Sequence, residues 1–96
     1  MGYRLTRRAR EDVRRIWRYI ADDNAPAADQ FIDLLTHNFR LLGANPYAGR
    51  RRDELRVGLR SFIAREYLIL YRIQGQTVVI LHIVHGRRDL ATFLGR

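Results

Sequence analysis

The sequence predicts an α+β domain in the order strand–helix–helix–strand–strand–strand, with an N-terminal helical hairpin packed on one face of a small, antiparallel-rich sheet. Two observations predict it. Apolar residues recur at helical spacing through the first half of the chain, and after Gly49 they give way to short β-branched and aromatic runs bounded by turn residues. At 96 residues the chain fits a single domain, spanning 1–96. A composition of 47% hydrophobic and 29% charged residues supplies a core and excludes a disordered polypeptide.

Tyr3-Arg4-Leu5 predicts a short strand ending at Thr6, whose hydroxyl suits a helix N-cap. Ala9, Val13, Ile16, Trp17 and Ile20 then form one apolar stripe of a helix that runs to about Ala21. Asp22-Asp23-Asn24 breaks it, and Asn24 with Pro26 opens a second helix carrying Ala28, Phe31, Ile32, Leu35, Phe39 and Leu42. Gly43 is the expected left-handed terminator, and Asn45-Pro46 prevents resumption. So short a connection makes the two helices an antiparallel hairpin.

Arg50 to Glu54 is expected to be a charged connector, with Arg50-Arg51-Arg52 a solvated loop. Three strands follow: Arg60 to Arg65, Glu66 to Ile73, and Thr77 to Val84, the last two a hairpin turned at Gln74-Gly75. The middle strand is apolar on both sides, Tyr67, Ile69 and Tyr71 on one and Leu68 and Leu70 on the other. The hairpin covers one face. The second is expected to stay open for a partner.

Cysteine is absent, which excludes disulfides, a thiol nucleophile and a thiolate metal site. His37, His82 and His85 lack carboxylates placed beside them, so no metal site is expected. No run approaches the ~20 apolar residues of a membrane helix, and no leader pattern opens the chain, so a cytoplasmic protein is expected. The net charge is +8, carried by 18 basic residues that are all arginine. The planar guanidinium fork grips carboxylate and phosphate, which predicts an anionic partner, either nucleic acid or an acidic protein.

The chain resembles the ParE branch of the RelE/ParE toxin superfamily. The resemblance rests on Thr6-Arg7-Arg8-Ala9, Ile16-Trp17-Arg18-Tyr19-Ile20, Asn45-Pro46…Gly49-Arg50, Arg52-Asp53-Glu54-Leu55-Arg56, Gly58-Leu59-Arg60-Ser61-Phe62, Tyr67…Tyr71-Arg72 and Val84-His85-Gly86-Arg87-Arg88-Asp89-Leu90, in order along nearly the whole chain. It implies the toxin of a type II toxin–antitoxin module that inhibits DNA gyrase without an organic cofactor, is neutralised by a ParD-like antitoxin, and contacts DNA indirectly through the antitoxin complex. It also implies that Leu90, Phe93 and Leu94 act in gyrase inhibition, although Phe93 and Leu94 could instead fold back on the core. RelE-like relatives imply a different chemistry, ribosome-dependent cleavage of mRNA. A degenerate toxin that only binds its antitoxin is a third reading.

RNA cleavage needs a base, an acid and cations on the phosphorane. His85 is the acid–base candidate, with Tyr71 or Tyr67 second, and Arg65, Arg72, Arg87 and Arg88 are the cations. Glu66 is expected on the opposite face, and no complete acid–base set is visible. Strand-end His85 is expected to satisfy backbone groups ahead of any catalytic role, His82 to be an edge or face residue without a role, and His37 to face solvent. For an acidic antitoxin tail, Tyr67 and Tyr71 offer apolar anchors and Arg60, Arg65, Arg72 and Arg88 the counter-charges. Arg7 and Arg8 at the positive end of the first helix run against its dipole, with Glu11 and Asp12 compensating through pairs to Arg14 and Arg15.

Overall fold

The computed structural model describes residues 2–86. The elements are β1 (Gly2–Leu5), α1 (Arg7–Ala21), α2 (Ala25–Ala44), β2 (Arg50–Arg51), β3 (Arg60–Ala64), β4 (Tyr67–Gln74) and β5 (Thr77–His85). The sheet order is β1-β5-β4-β3-β2, with β1 parallel to β5 and every other pair antiparallel. This is the expected α+β order, except that Arg50-Arg51, expected as solvated loop, adds an edge strand opposite Ser61 and Arg60.

Both helix starts follow from their caps. The Thr6 hydroxyl accepts from the Ala9 N–H at 3.0 Å and donates to the Leu81 carbonyl at 3.1 Å, so the cap also ties α1 to β5. The Asn24 side chain accepts from the Ala27 N–H at 3.1 Å, with Pro26 in the first turn. The far end of α2 corrects the expectation. Gly43 stays helical, and the helix stops at Asn45, whose amide donates to the Leu41 carbonyl at 3.0 Å. Gly43 is there for space: a Cβ would lie 3.1 Å from the Gly2 backbone, where α2 crosses β1.

Ala9, Ile16, Phe31, Leu35, Phe39 and Leu42 of the helices pack on Tyr67, Ile69, Tyr71, Val78, Ile80 and Ile83 of the sheet. Trp17, expected in this stripe, remains 38% exposed at the rim, where its indole N–H donates to Asp29 Oδ1 at 2.8 Å and pins α1 to α2.

The opposite face is not bare, contrary to expectation. Leu68, Leu70 and Val84 are buried beneath Leu59, with Leu55 and Leu81 packed alongside. The 52–59 connector folds over them because Asp53 ties it down, accepting from the Gly58 N–H at 2.9 Å and from Arg51 at 2.6 Å. These two contacts, the backbone donor first, hold the Asp53 carboxyl below its ordinary value. Only Ile63, 71% exposed, is left uncovered among the large apolar side chains of this face in the described residues.

Candidate functional site

On the helix side, β3 and β4 present two clusters at opposite ends. At one end Arg60 of β3 donates to the Gly49 carbonyl at 2.8 Å and lies 5.1 Å from the centroid of the exposed Tyr47 ring. Beneath it the Tyr71 hydroxyl donates to the Pro46 carbonyl at 2.7 Å and accepts from the Gly49 N–H at 2.8 Å. Burial pushes the Tyr71 phenol above its ordinary value, which keeps the hydroxyl a donor. Tyr71 has no exposed surface. It is therefore neither an antitoxin anchor nor an acid–base group at the surface; its hydroxyl is committed to holding the Pro46–Gly49 turn.

At the other end a two-residue turn, Arg65-Glu66, joins β3 to β4, since Ala64 pairs directly with Tyr67. Glu66 thus sits in the turn rather than on the strand, and its carbonyl accepts from the Gly86 N–H at 2.8 Å. Arg65 adopts φ 58°, a left-handed backbone that costs a non-glycine residue about 1 kcal/mol. Its guanidinium lies 5.9 Å from the Phe31 ring centroid. Phe31 in turn packs tilted against Tyr67 with ring centroids 5.2 Å apart, and Tyr67 meets the His85 ring edge-on at 5.4 Å. Arg65, Tyr67 and His85 share the wall of an open hollow of about 420 Å³ with Arg52, Ile63 and Leu68.

The ribonuclease candidates come together only in part: His85, Tyr67 and Arg65 share this hollow, whereas Tyr71 and Arg72 stand away from it. His85 pairs with Tyr67 at one end of β4, whereas Arg72 pairs with Val79 near the other and faces away from the helices. Five residues of strand separate Tyr67 from Arg72, roughly 16 Å. The antitoxin set is likewise divided: Arg60, Arg65 and Tyr67 share the helix side, and Arg72 lies on the other. Arg87, Arg88, Leu90, Phe93 and Leu94 lie outside the described residues. Among the described residues no group of three or more His, Asp or Glu is placed to hold a metal, and no helix is long and apolar enough to cross a membrane.

A family model described as the ParE toxin of the type II toxin-antitoxin system, parDE, matches residues 3–90. The chain belongs to the ParE toxin family. It is a type II toxin of the ParDE kind. It is similar to Toxin ParE3 of Caulobacter vibrioides, 38% identical over 95% of this chain and 92% of that one. Toxin RelE3 of the same organism is 34% identical over 82% of this chain and 87% of its own length. A solved structure of a chromosomal ParDE TA system from P. aeruginosa shares the fold, with a TM-score of 0.76 over 88% of this chain and 95% of that one, at 23% identity.

Asp12 of this ParE-family chain, expected as a helix-surface charge paired along α1, is buried. It is 1% exposed, accepting from the Ile83 N–H at 3.1 Å and pairing with Arg15 at 2.9 Å and Arg8 at 3.3 Å. The signal was present: Asp12 lies three residues after Ala9 and four before Ile16, on the apolar stripe itself. His82, expected to have no role, places Nδ1 3.5 Å from Asp12 Oδ2, the oxygen that accepts from Ile83. Burial holds its imidazole below the ordinary value, reinforced by the Arg8 and Arg56 charges and opposed by Asp12. The unfolded chain therefore binds the His82 proton more readily, and stability falls as pH drops through about 6.5 toward the lower folded value. His82→Gln should flatten the fall of melting temperature between about pH 7 and pH 5. An unchanged profile would mean that other groups set the acid sensitivity.

Proposed function

We propose that this toxin inhibits DNA gyrase, trapping the enzyme on broken DNA during strand passage, and that a cognate acidic ParD-like antitoxin neutralises it. Family membership over residues 3–90 carries this reading. The 38% identical relative is a ParE toxin, and the solved structural neighbour is a ParDE system. The separation of Tyr71 and Arg72 from His85 and Arg65 counts against an RNA-cleaving site, the reading to which the RelE3 relative points. Inhibition needs no metal or cofactor, only surfaces, and the C-terminal Leu90, Phe93 and Leu94 are proposed as the gyrase-directed group. Loss of supercoiling when the pure protein is added to gyrase, ATP and relaxed plasmid supports this reading; full supercoiling by gyrase beside a folded toxin contradicts it.

The antitoxin segment is proposed to lie along β3 on the helix side, its carboxylates meeting Arg60 and Arg65, and to turn round the sheet end past Tyr67 into the hollow, whose Ile63 and Leu68 supply apolar contact. The two arginines are separated by about 16 Å of strand, which an acidic segment spans with five extended residues or about three turns of helix. Arg65→Gly offers a clean separation of binding from folding. Glycine accepts the left-handed turn without the strain Arg65 carries, so stability should hold or rise by roughly 1 kcal/mol. Affinity for the antitoxin should nevertheless fall about tenfold by titration calorimetry. Unchanged affinity would remove Arg65 from the interface.

A further inference from the structure

The sheet face turned away from the helices carries a row across three strands near one end: Arg4 of β1, Val79 of β5 and Arg72 of β4, paired in register. Val79 is fully buried between the two arginines. Both guanidiniums converge on one neutral atom, Gln74 Oε1, which accepts from Arg4 Nη2 at 3.5 Å and from Arg72 Nη1 at 2.8 Å. The two donor nitrogens consequently lie within about 6 Å of each other. Neither arginine has a carboxylate partner among the described residues, whereas Arg8, Arg15, Arg51 and Arg52 are each paired with Asp12, Asp53 or Glu54. Two like charges held this close repel, and an anion seated between them removes the repulsion.

We infer that Arg4 and Arg72 clamp a backbone phosphate of duplex DNA, with Gln74 holding the two guanidiniums in position. A single guanidinium fork satisfies a planar carboxylate, while two forks arriving from opposite sides match the several acceptor oxygens of a tetrahedral phosphate. Arg4 and Gln74 are exposed and Arg72 is half-buried, so the row is within reach of an extended polyanion, and the net charge of +8 draws one in. Single strands are gripped by stacking on exposed aromatic rings. The exposed Tyr19 and Tyr47 do not provide that platform here, since Tyr19 is on α1 and Tyr47 lies with Arg60 on the helix side. The contact is to backbone and carries no sequence preference. It stands apart from the gyrase reading, because it concerns the toxin alone.

The test is fluorescence anisotropy of a short labelled duplex titrated with the purified toxin over a range of salt. Arg4→Gln with Arg72→Gln should weaken binding about tenfold and flatten the slope of log affinity against log salt by roughly two. Removing the same charge with Arg40→Gln and Arg50→Gln, both exposed on other elements, should have a smaller effect. Gln74→Glu keeps both arginines and the fold but seats a carboxylate between them, and it should reproduce the loss. The inference is overturned if the control pair weakens binding as much, or if Gln74→Glu binds normally. Displacement of the duplex by polyglutamate at equal charge would reassign the clamp to acidic protein. Binding of inorganic phosphate as tight as that of the duplex would reassign it to small anions.

Discussion

Gly49→Ala should destabilise the domain by about 3 kcal/mol, seen in urea as a lower midpoint at unchanged slope. A Cβ at this position would meet the Tyr71 ring, 2.6 Å from one edge carbon and 2.8 Å from the carbon bearing the hydroxyl. Tyr71 is fully buried and cannot retreat. Pushing it aside breaks the bonds from its hydroxyl to Pro46 and Gly49, leaving a buried carbonyl and N–H without partners. Tyr71→Phe strands the same two groups without the clash and should cost about 2 kcal/mol. Because both changes damage one contact, the double variant should be less destabilised than the sum of the singles. Simple additivity would show that the turn and the ring are not coupled. The turn also carries the Gly49 carbonyl that holds Arg60, so antitoxin affinity should fall with it.

Asp12→Ala should cost a comparable amount, about 3 kcal/mol, for a different reason. β1 pairs with β5 as far as Ile80, Thr6 carries the edge on to the Ile80 and Leu81 carbonyls, and the edge beyond them, at the Ile83 N–H, would be open. The Asp12 carboxylate closes it by accepting from the Ile83 N–H. Arg8 and Arg15 are 61% and 56% exposed, so their ion pairs with Asp12 contribute little by comparison. Asp12→Asn keeps an acceptor for Ile83 and should therefore lose only a minor part of the stability. Amide exchange at Ile83 should accelerate sharply in the alanine variant and modestly in the asparagine one. Equal losses in the two variants would place the stabilisation in the arginine pairs instead.

The elements that the sequence displayed plainly were those governed by local rules. Thr6 and Asn24 cap their helices because short polar side chains reach the first-turn amides wherever the chain folds. The β4–β5 hairpin follows from its composition around Gly75, which takes φ 61° in the turn. What stayed hidden depended on distant partners. Tyr67 and Tyr71 look alike on a strand, yet one lines the hollow and the other is locked beneath Gly49, 22 residues away. Leu55 and Leu59 lie in an arginine-rich stretch that resembles a solvated loop, and contacts made by Asp53 and Arg52 fold it over Leu68 and Leu70. Sequence groups Arg72 with Arg65 as a counter-charge, but strand alternation and length put it on the other face, beside Arg4.

Gyrase poisoning is tested most directly by resolving plasmid after a gyrase reaction with the purified toxin, stopped with detergent to release DNA from trapped enzyme. Linear DNA that increases with toxin and disappears when the antitoxin is added is the predicted result. Gyrase that supercoils normally and yields no linear product, alongside a toxin shown to be folded, would contradict it. Cleavage of ribosome-bound mRNA by the same preparation would then move the activity to the end of β5, where His85, Tyr67 and Arg65 meet.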